Sequence, residues 1–239
     1  MTQLMLEIVG VWLAVILLGM PLFAAMGLAA FAFVLLGGLS GAIVPQKMAQ
    51  AMNSFPIVAA PLFILMGNIL GAAKLTDRIV RFATSLVGAL RGGYAHASIL
   101  SSMIFAGMVG SAVADAAGTG AVEVRAMKKA GYRPETAAAI SAAAATIGPI
   151  IPPSIIMIIY ASIAGQSVAR MFIGGIVPGV VMGLAMMAVV AWLAPRRGIG
   201  RGAPTSLREI VVATRQALVV LVMPVIVVGG ILGGAFTAT

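Results

Sequence analysis

The chain contains no cysteine and a single histidine, His96. The first absence excludes disulfides and thiolate metal centres and leaves the redox compartment unreadable. The second leaves no histidine pair for zinc and no nucleophile–His–acid arrangement. Charge is scarce as well: 9% of the 239 residues are charged, and only six are Asp or Glu. Soluble domains carry about a quarter charged residues. Hydrocarbon takes their place, with 62% hydrophobic residues and a mean hydropathy of +1.14. Water is therefore not the main solvent, and the composition specifies an all-α, polytopic membrane protein whose partner is the lipid bilayer. The net charge of +9 and pI of about 11.2 do not indicate a nucleic-acid partner. The basic residues sit in loops rather than among aromatics on a polar face, so they read as topology signals.

The stretch from Ile8 to Ser40 is too long for a signal-peptide core and lacks a basic leader, so it is expected to be retained. Gly19-Met20-Pro21 interrupts it, which fits two spans with a tight turn or one long kinked helix. Pro56 to Ala73 makes a further span. Lys74 to Gly93 places Arg78, Arg81 and Arg91 among Ile79, Val80, Phe82 and Leu86, a basic amphipathic pattern expected in the membrane interface. Phe172 to Leu193 and Ala217 to Gly234 are spans joined by a polar loop holding Arg196, Arg197, Arg201, Arg208 and Arg215.

Two apolar segments are interrupted at their centres. Residues 94–127 break at Gly110 to Gly118, leaving arms of about 15 and nine residues, each short of the ~17 needed to cross. They fit a re-entrant hairpin that enters and leaves on one side. Residues 136–164 are long enough to cross but carry Gly148-Pro149-Ile150-Ile151-Pro152-Pro153-Ser154, a broken transmembrane helix. Charge supports the hairpin independently. If 94–127 returns to its starting side, one face collects Lys74, Arg78, Arg81, Arg91, Arg125, Lys128, Lys129, Arg133 and the five loop arginines, leaving Lys47 and Arg170 opposite. The positive-inside rule makes that face cytoplasmic.

Non-helical backbone at membrane depth leaves N–H and C=O groups unpaired, and it is tolerated where it lines a protein-buried or watery cavity. Two such breaks point to a transport site, where helix N-termini favour an anion and unwound carbonyls offer oxygen to a cation. Ser111, Asp115, Pro152, Pro153 and Ser154 are the candidate substrate-binding positions, with Thr146 and the carbonyls freed by the prolines beside them. Asp115 is the one carboxylate expected deep in an apolar stretch, and such residues are expensive to bury without a use. Its structural role would be to cap the second hairpin arm. Glu123, Arg125 and His96 are expected at the interface, without catalytic role. Gly229, Gly230, Gly233 and Gly234 are expected to be close-packing positions rather than a nucleotide loop.

Four runs carry a resemblance. They are Phe55-Pro56-Ile57-Val58-Ala59-Ala60-Pro61-Leu62-Phe63-Ile64-Leu65-Met66-Gly67, Gly110-Ser111-Ala112-Val113-Ala114-Asp115, Met127-Lys128-Lys129-Ala130-Gly131-Tyr132, and Thr146-Ile147-Gly148-Pro149-Ile150-Ile151-Pro152-Pro153-Ser154. In this order they resemble the large membrane subunit of TRAP (tripartite ATP-independent periplasmic) transporters. Val177-Pro178-Gly179 and the glycine-rich end of the chain are similar to it too. The resemblance implies the first repeat of an elevator-type, ion-transporter-like fold. Residues 1–93 would form scaffold and interfacial helices, 94–170 the transport elements, and 171–239 two further spans. It also implies sodium-coupled uptake of a small organic anion, such as a dicarboxylate or sialic acid, in the bacterial inner membrane. The implied partners are a small membrane subunit and a periplasmic substrate-binding protein, and no organic cofactor is implied. The family's first sodium site would map to Ser111, Asp115, Thr146, Gly148, Pro149 and Ser154. Val109 and Arg125 depart from the family pattern, which often has serine and proline there. The chain stops where the family's second repeat would begin, so a fragment or one piece of a split protein is expected. A membrane-embedded enzyme is the alternative, and nothing supplies its paired aspartates, Ser/His pair or metal ligands. A structural half that needs a partner chain is another.

Overall fold

The computed structural model describes residues 2–52, 61–62, 64–67, 69, 75–200, 202 and 205–235. Their regular structure is helical: α1 Thr2–Leu17, α2 Leu22–Leu36, α3 Ile43–Met52, α4 Leu75–Val87, α5 Gly93–Val109, α6 Ala112–Gly118, α7 Gly120–Lys129, α8 Pro134–Ala145, α9 Ile155–Ala164, α10 Val168–Arg196 and α11 Leu207–Leu232. Two compact units divide the chain, Met1–Ser54 and Phe55–Thr239. In the first, α1 and α2 pack against each other across a turn that ends at Pro21. That resolves the N-terminal ambiguity as two helices rather than one kinked one. Most of the expected span from Pro56 to Ala73 lies outside the described residues.

In the second unit, α5 is the axis, touching α4, α6, α7, α8, α10 and α11. Its side chains are buried almost all round, which is why the sequence shows no amphipathic stripe there. Phe105, Met108 and Val109 pack with Ile79 and Val220, a contact that rests on close van der Waals approach in a lipid setting. α4 is amphipathic as the sequence indicates, but its apolar face, with Ile79, Val80 and Ala83, is covered by α5 and α11 rather than left for lipid. Arg78 and Arg81 project from the other face and donate to the Gln216 carbonyl and side-chain oxygen at 3.4 and 3.2 Å.

α10 and α11 are the helices long and apolar enough to cross a membrane among the described residues. α11 begins ten residues before the expected span. Arg208 and Arg215 therefore stand on a helix, not in a loop. The reason is local: Ser206 caps the Glu209 amide at 3.2 Å, and Glu209 accepts from the Ser206 amide at 3.1 Å, a capping box that starts the helix in polar sequence. Ser206→Ala is expected to cost about 1 kcal/mol, read as a lowered unfolding temperature of the detergent-solubilised protein.

Two of the four expected packing glycines make no close contact. Cβ atoms at Gly229 or Gly234 would meet nothing within 4 Å. On α10, Gly175, Gly179 and Gly183 are buried one turn apart. Their missing side chains admit the Ile150 carbonyl, Ile151 and Met103 respectively. That glycine seam fixes α10 against both α5 and the broken segment.

Candidate functional site

Two interruptions of helical structure meet in this unit. The first lies between α5 and α6. α5 ends at Gly110, whose φ of 63° is left-handed, and its amide closes on the Ala106 carbonyl at 3.2 Å. Ser111 is extended and caps α6, accepting from the Ala114 amide at 3.4 Å. The cap is thus Ser111 and not Asp115, which lies in the first turn. From there α6 and α7 double back along α5.

The second interruption lies between α8 and α9. α8 opens with Pro134 at its first turn and runs through an alanine-rich stretch of high helix propensity. Its end tightens, with amides of Thr146, Ile147 and Gly148 bonded to carbonyls three residues back at 3.0–3.1 Å. Pro149, Pro152 and Pro153 then offer no amide, so the carbonyls of Ala145, Gly148 and Pro149 cannot receive helical bonds from four residues ahead. Ala145 is satisfied by Gly148, and the Pro149 carbonyl accepts from Ser154 Oγ at 2.6 Å. Ser154 also caps α9, accepting from the Met157 amide at 3.3 Å.

The breaks interlock through their glycines. A Cβ on Gly110 would run into the Pro153 carbonyl and the Ser154 Cα, and one on Gly148 would lie 3.1 Å from the Ala112 nitrogen and the Ser111 carbonyl carbon. Ser111, Gly148, Pro153 and Ser154 therefore sit at one junction of irregular backbone. Gly148, Pro152, Pro153 and Ser154 are buried, and Ser111 and Pro149 are half-buried.

The side chains of the other two candidates, Thr146 and Asp115, bond within their own segments. Thr146 is exposed and donates to the Ala143 carbonyl at 2.6 Å. Asp115 is fully buried, and its Oδ1 accepts from Thr119 Oγ1 at 2.5 Å. Its side chain lies by Ser102 of α5. Among the described residues neither Asp115 Oδ2 nor Ser102 Oγ has a hydrogen-bond partner. A buried, orphaned carboxylate oxygen is costly and marks a place where a cation or proton would be welcome. No group of three or more His, Cys, Asp or Glu converges among the described residues. The donors available are hydroxyl, carbonyl and carboxylate oxygen, a set that suits hard cations.

Burial refines the expectations for Glu123 and His96. Glu123 is 2% exposed, so Asp115 is not the only buried carboxylate among the described residues. His96 is buried too, with Nδ1 unpartnered among the described residues. Val109 faces the apolar cluster of Phe105 and Ile79. Ser98 and Ser101, which bond Glu123, and Ser102, which lies by Asp115, fall at i, i+3 and i+4, so one helix face in the sequence already carries this signal. A cavity of 520 Å³ elsewhere, between α8 and α10, has Ile140, Ala143, Met182, Met186 and Val190 in its walls. Such a lining suits hydrocarbon rather than an organic anion.

A family model described as tripartite ATP-independent periplasmic transporter, DctM component, matches residues 9–239. The sialic acid TRAP transporter permease protein SiaT of Haemophilus influenzae is 41% identical over 194 residues, 81% of this chain and 32% of that protein. The sialic acid TRAP transporter large permease protein SiaM of Vibrio cholerae is 36% identical over 229 residues, 95% of this chain and 54% of that one. The C4-dicarboxylate TRAP transporter large permease protein DctM of Pseudomonas aeruginosa is 37% identical over 193 residues, 81% and 45%. The chain thus spans between about a third and a half of the length of these relatives.

Proposed function

The chain belongs to the DctM-component family of tripartite ATP-independent periplasmic transporters, and from that premise we propose that it serves sodium-coupled uptake of a small organic anion across the bacterial inner membrane. The observation that carries the reading is the junction of the two breaks. A soluble core has no use for two interrupted helices whose irregular backbones touch, whereas a carrier needs unpaired carbonyls and capped helix starts at one place. α5 to α7 act as a re-entrant hairpin, α8 and α9 as the halves of a broken transmembrane helix, and they move together, as an elevator mechanism requires. The contacts of Gly110 with Pro153 and of Gly148 with Ser111 and Ala112 support that coupling.

Sodium is coordinated by oxygens drawn from Ser111, Asp115, Thr146, Gly148, Pro149 and Ser154. The anion meets Ser111, Asp115, Pro152, Pro153 and Ser154. As the structure stands, Ser111 and Ser154 each cap the start of their own helix, and Asp115 supplies the negative charge. Thr146 would have to turn from its own helix to join them. The basic ends of α4, α7 and α11 face the cytoplasm, giving a multi-pass topology. Relatives named for sialic acid and C4-dicarboxylate suggest a carboxylate as substrate, delivered by a periplasmic binding protein and taken up together with a small membrane subunit.

Uptake of a radiolabelled carboxylate into vesicles, with the partner subunits present, tests this. An inward sodium gradient should drive it and potassium should not. Asp115→Asn and Asp115→Ala should reduce sodium-driven uptake at least about tenfold, the equivalent of ~1.4 kcal/mol. Equal rates in potassium, or an Asp115→Ala carrier at full rate, would remove the assigned site.

A further inference from the structure

Glu123 is buried on α7, and the transport site described above makes no use of it. Ser98 Oγ donates to its Oε2 at 2.6 Å, Ser141 Oγ to the same oxygen at 2.8 Å, and Ser101 Oγ lies 2.5 Å from Oε1. Ser101 Oγ is also 3.0 Å from the Ser98 carbonyl oxygen. A hydroxyl has one hydrogen and two lone pairs, so Ser101 can donate to only one of its two acceptors.

Two arrangements satisfy every atom with no heavy atom displaced. With Glu123 charged, Ser101 donates to Oε1. With Glu123 protonated, the acid's Oε1–H donates to Ser101 Oγ across the same 2.5 Å, and the Ser101 hydrogen turns to the Ser98 carbonyl. The two forms differ by one proton and one hydroxyl rotation.

The elements packed on α7 offer little to neutralise the charge. On α4, Asp77, Arg78 and Arg81 are exposed, and both arginines are bonded to Gln216 of α11. On α8, Glu135 is exposed and paired with Arg133 at 3.6 Å. Arg125, Lys128 and Lys129 of α7 itself are exposed. That leaves His96 on α5, which is buried, and Asp115 on α6, a like charge that acts on Glu123.

We propose that Glu123 is a proton-binding site built into the hairpin, with Ser101 as the hydroxyl that accommodates either state. The cage joins three elements: Ser98 and Ser101 on α5, Glu123 on α7 and Ser141 on α8. The charged form receives three hydroxyl donations, and the acid receives two and gives one. Proton occupancy therefore alters how firmly α8, the first half of the interrupted helix, is held to the hairpin. The proposal stands whether or not sodium binds at Asp115.

Infrared difference spectroscopy of the purified full chain in lipid vesicles, titrated from alkaline to acid in sodium-free buffer, reads carboxylic-acid formation directly. The wild type should gain a carboxylic C=O component that Glu123→Gln lacks and Glu135→Gln keeps. Ser101→Ala removes the donor to the charged form and should raise the midpoint by about one pH unit. Ser101→Thr should restore it. A Glu123→Gln spectrum equal to wild type would overturn the proposal, as would a Ser101→Ala midpoint that does not move. If Glu123→Gln does not fold, the serine pair still decides the matter.

Discussion

Gly110→Val is expected to be among the most damaging single substitutions in the chain, for two separable reasons. The left-handed φ of 63° costs an L-residue roughly 1–2 kcal/mol, and more for a β-branched side chain. The new Cβ would also occupy the space of the Pro153 carbonyl and the Ser154 Cα, and overpacking of that kind costs typically ~1–3 kcal/mol. Backbone cannot swing aside as a long side chain can, so the two breaks must part. The expected result is a destabilisation of about 2–5 kcal/mol, with faster proteolysis between α5 and α6 and between α8 and α9, and loss of uptake. Gly131→Val separates the two causes. Gly131 has a φ of 88° with nothing within 4 Å of its Cβ position, so it carries the strain without the collision. Equal losses at the two positions would mean that the contact between the breaks contributes nothing.

That contact shows how far the sequence could be read. Both interruptions were visible, because glycine and proline act locally: Pro149, Pro152 and Pro153 deny amides to their own helix whatever surrounds them. The second agrees with the structure to within two residues, whereas residues 112–118 of the first, expected as part of the break, form α6, so the irregular backbone there is confined to Gly110 and Ser111. The sequence could not show that Gly110 faces Pro153, since that pairing is set by the way α5 and α8 pack. Polar residues failed for the same reason. Asp115 stood out against an apolar background, but Glu123 lay near Arg125, Lys128 and Lys129 and looked interfacial. Helical periodicity turns Glu123 inward towards Ser98, Ser101 and Ser141, while Arg125, Lys128 and Lys129 stay outside. Charge density along the chain was the wrong measure; facing was the right one. α11 starts ahead of its apolar run because the Ser206–Glu209 capping box, a polar signal that hydropathy does not register, sets its first turn.

The glycine seam of α10 gives the second large effect. In a lipid setting helices gain little from excluding water, and association rests on close van der Waals approach, which small residues permit. Gly175, Gly179 and Gly183 recur every four residues and so share one face of α10. Through the middle one, α10 meets Ile151 within the Gly148 to Ser154 segment. Gly179→Leu would put a four-carbon side chain where Ile151 now packs. The neighbours at Gly175 and Gly183, the Ile150 carbonyl and Met103, leave little room for α10 to slide along its axis. The helix must move outward, and the contacts of the whole seam go with it. A loss of about 3 kcal/mol is expected, at the upper end of overpacking costs, seen as a fall in the unfolding temperature in detergent and as reduced membrane levels. Gly229→Leu on α11, where nothing lies within 4 Å, should be tolerated within about 1 kcal/mol. Gly179→Ala adds only the β-carbon, and Met-like flexibility is absent at Ile151, so an intermediate loss is expected. A Gly179→Leu protein as stable as the Gly229→Leu protein would show that α10 is not seated on the broken helix through this seam.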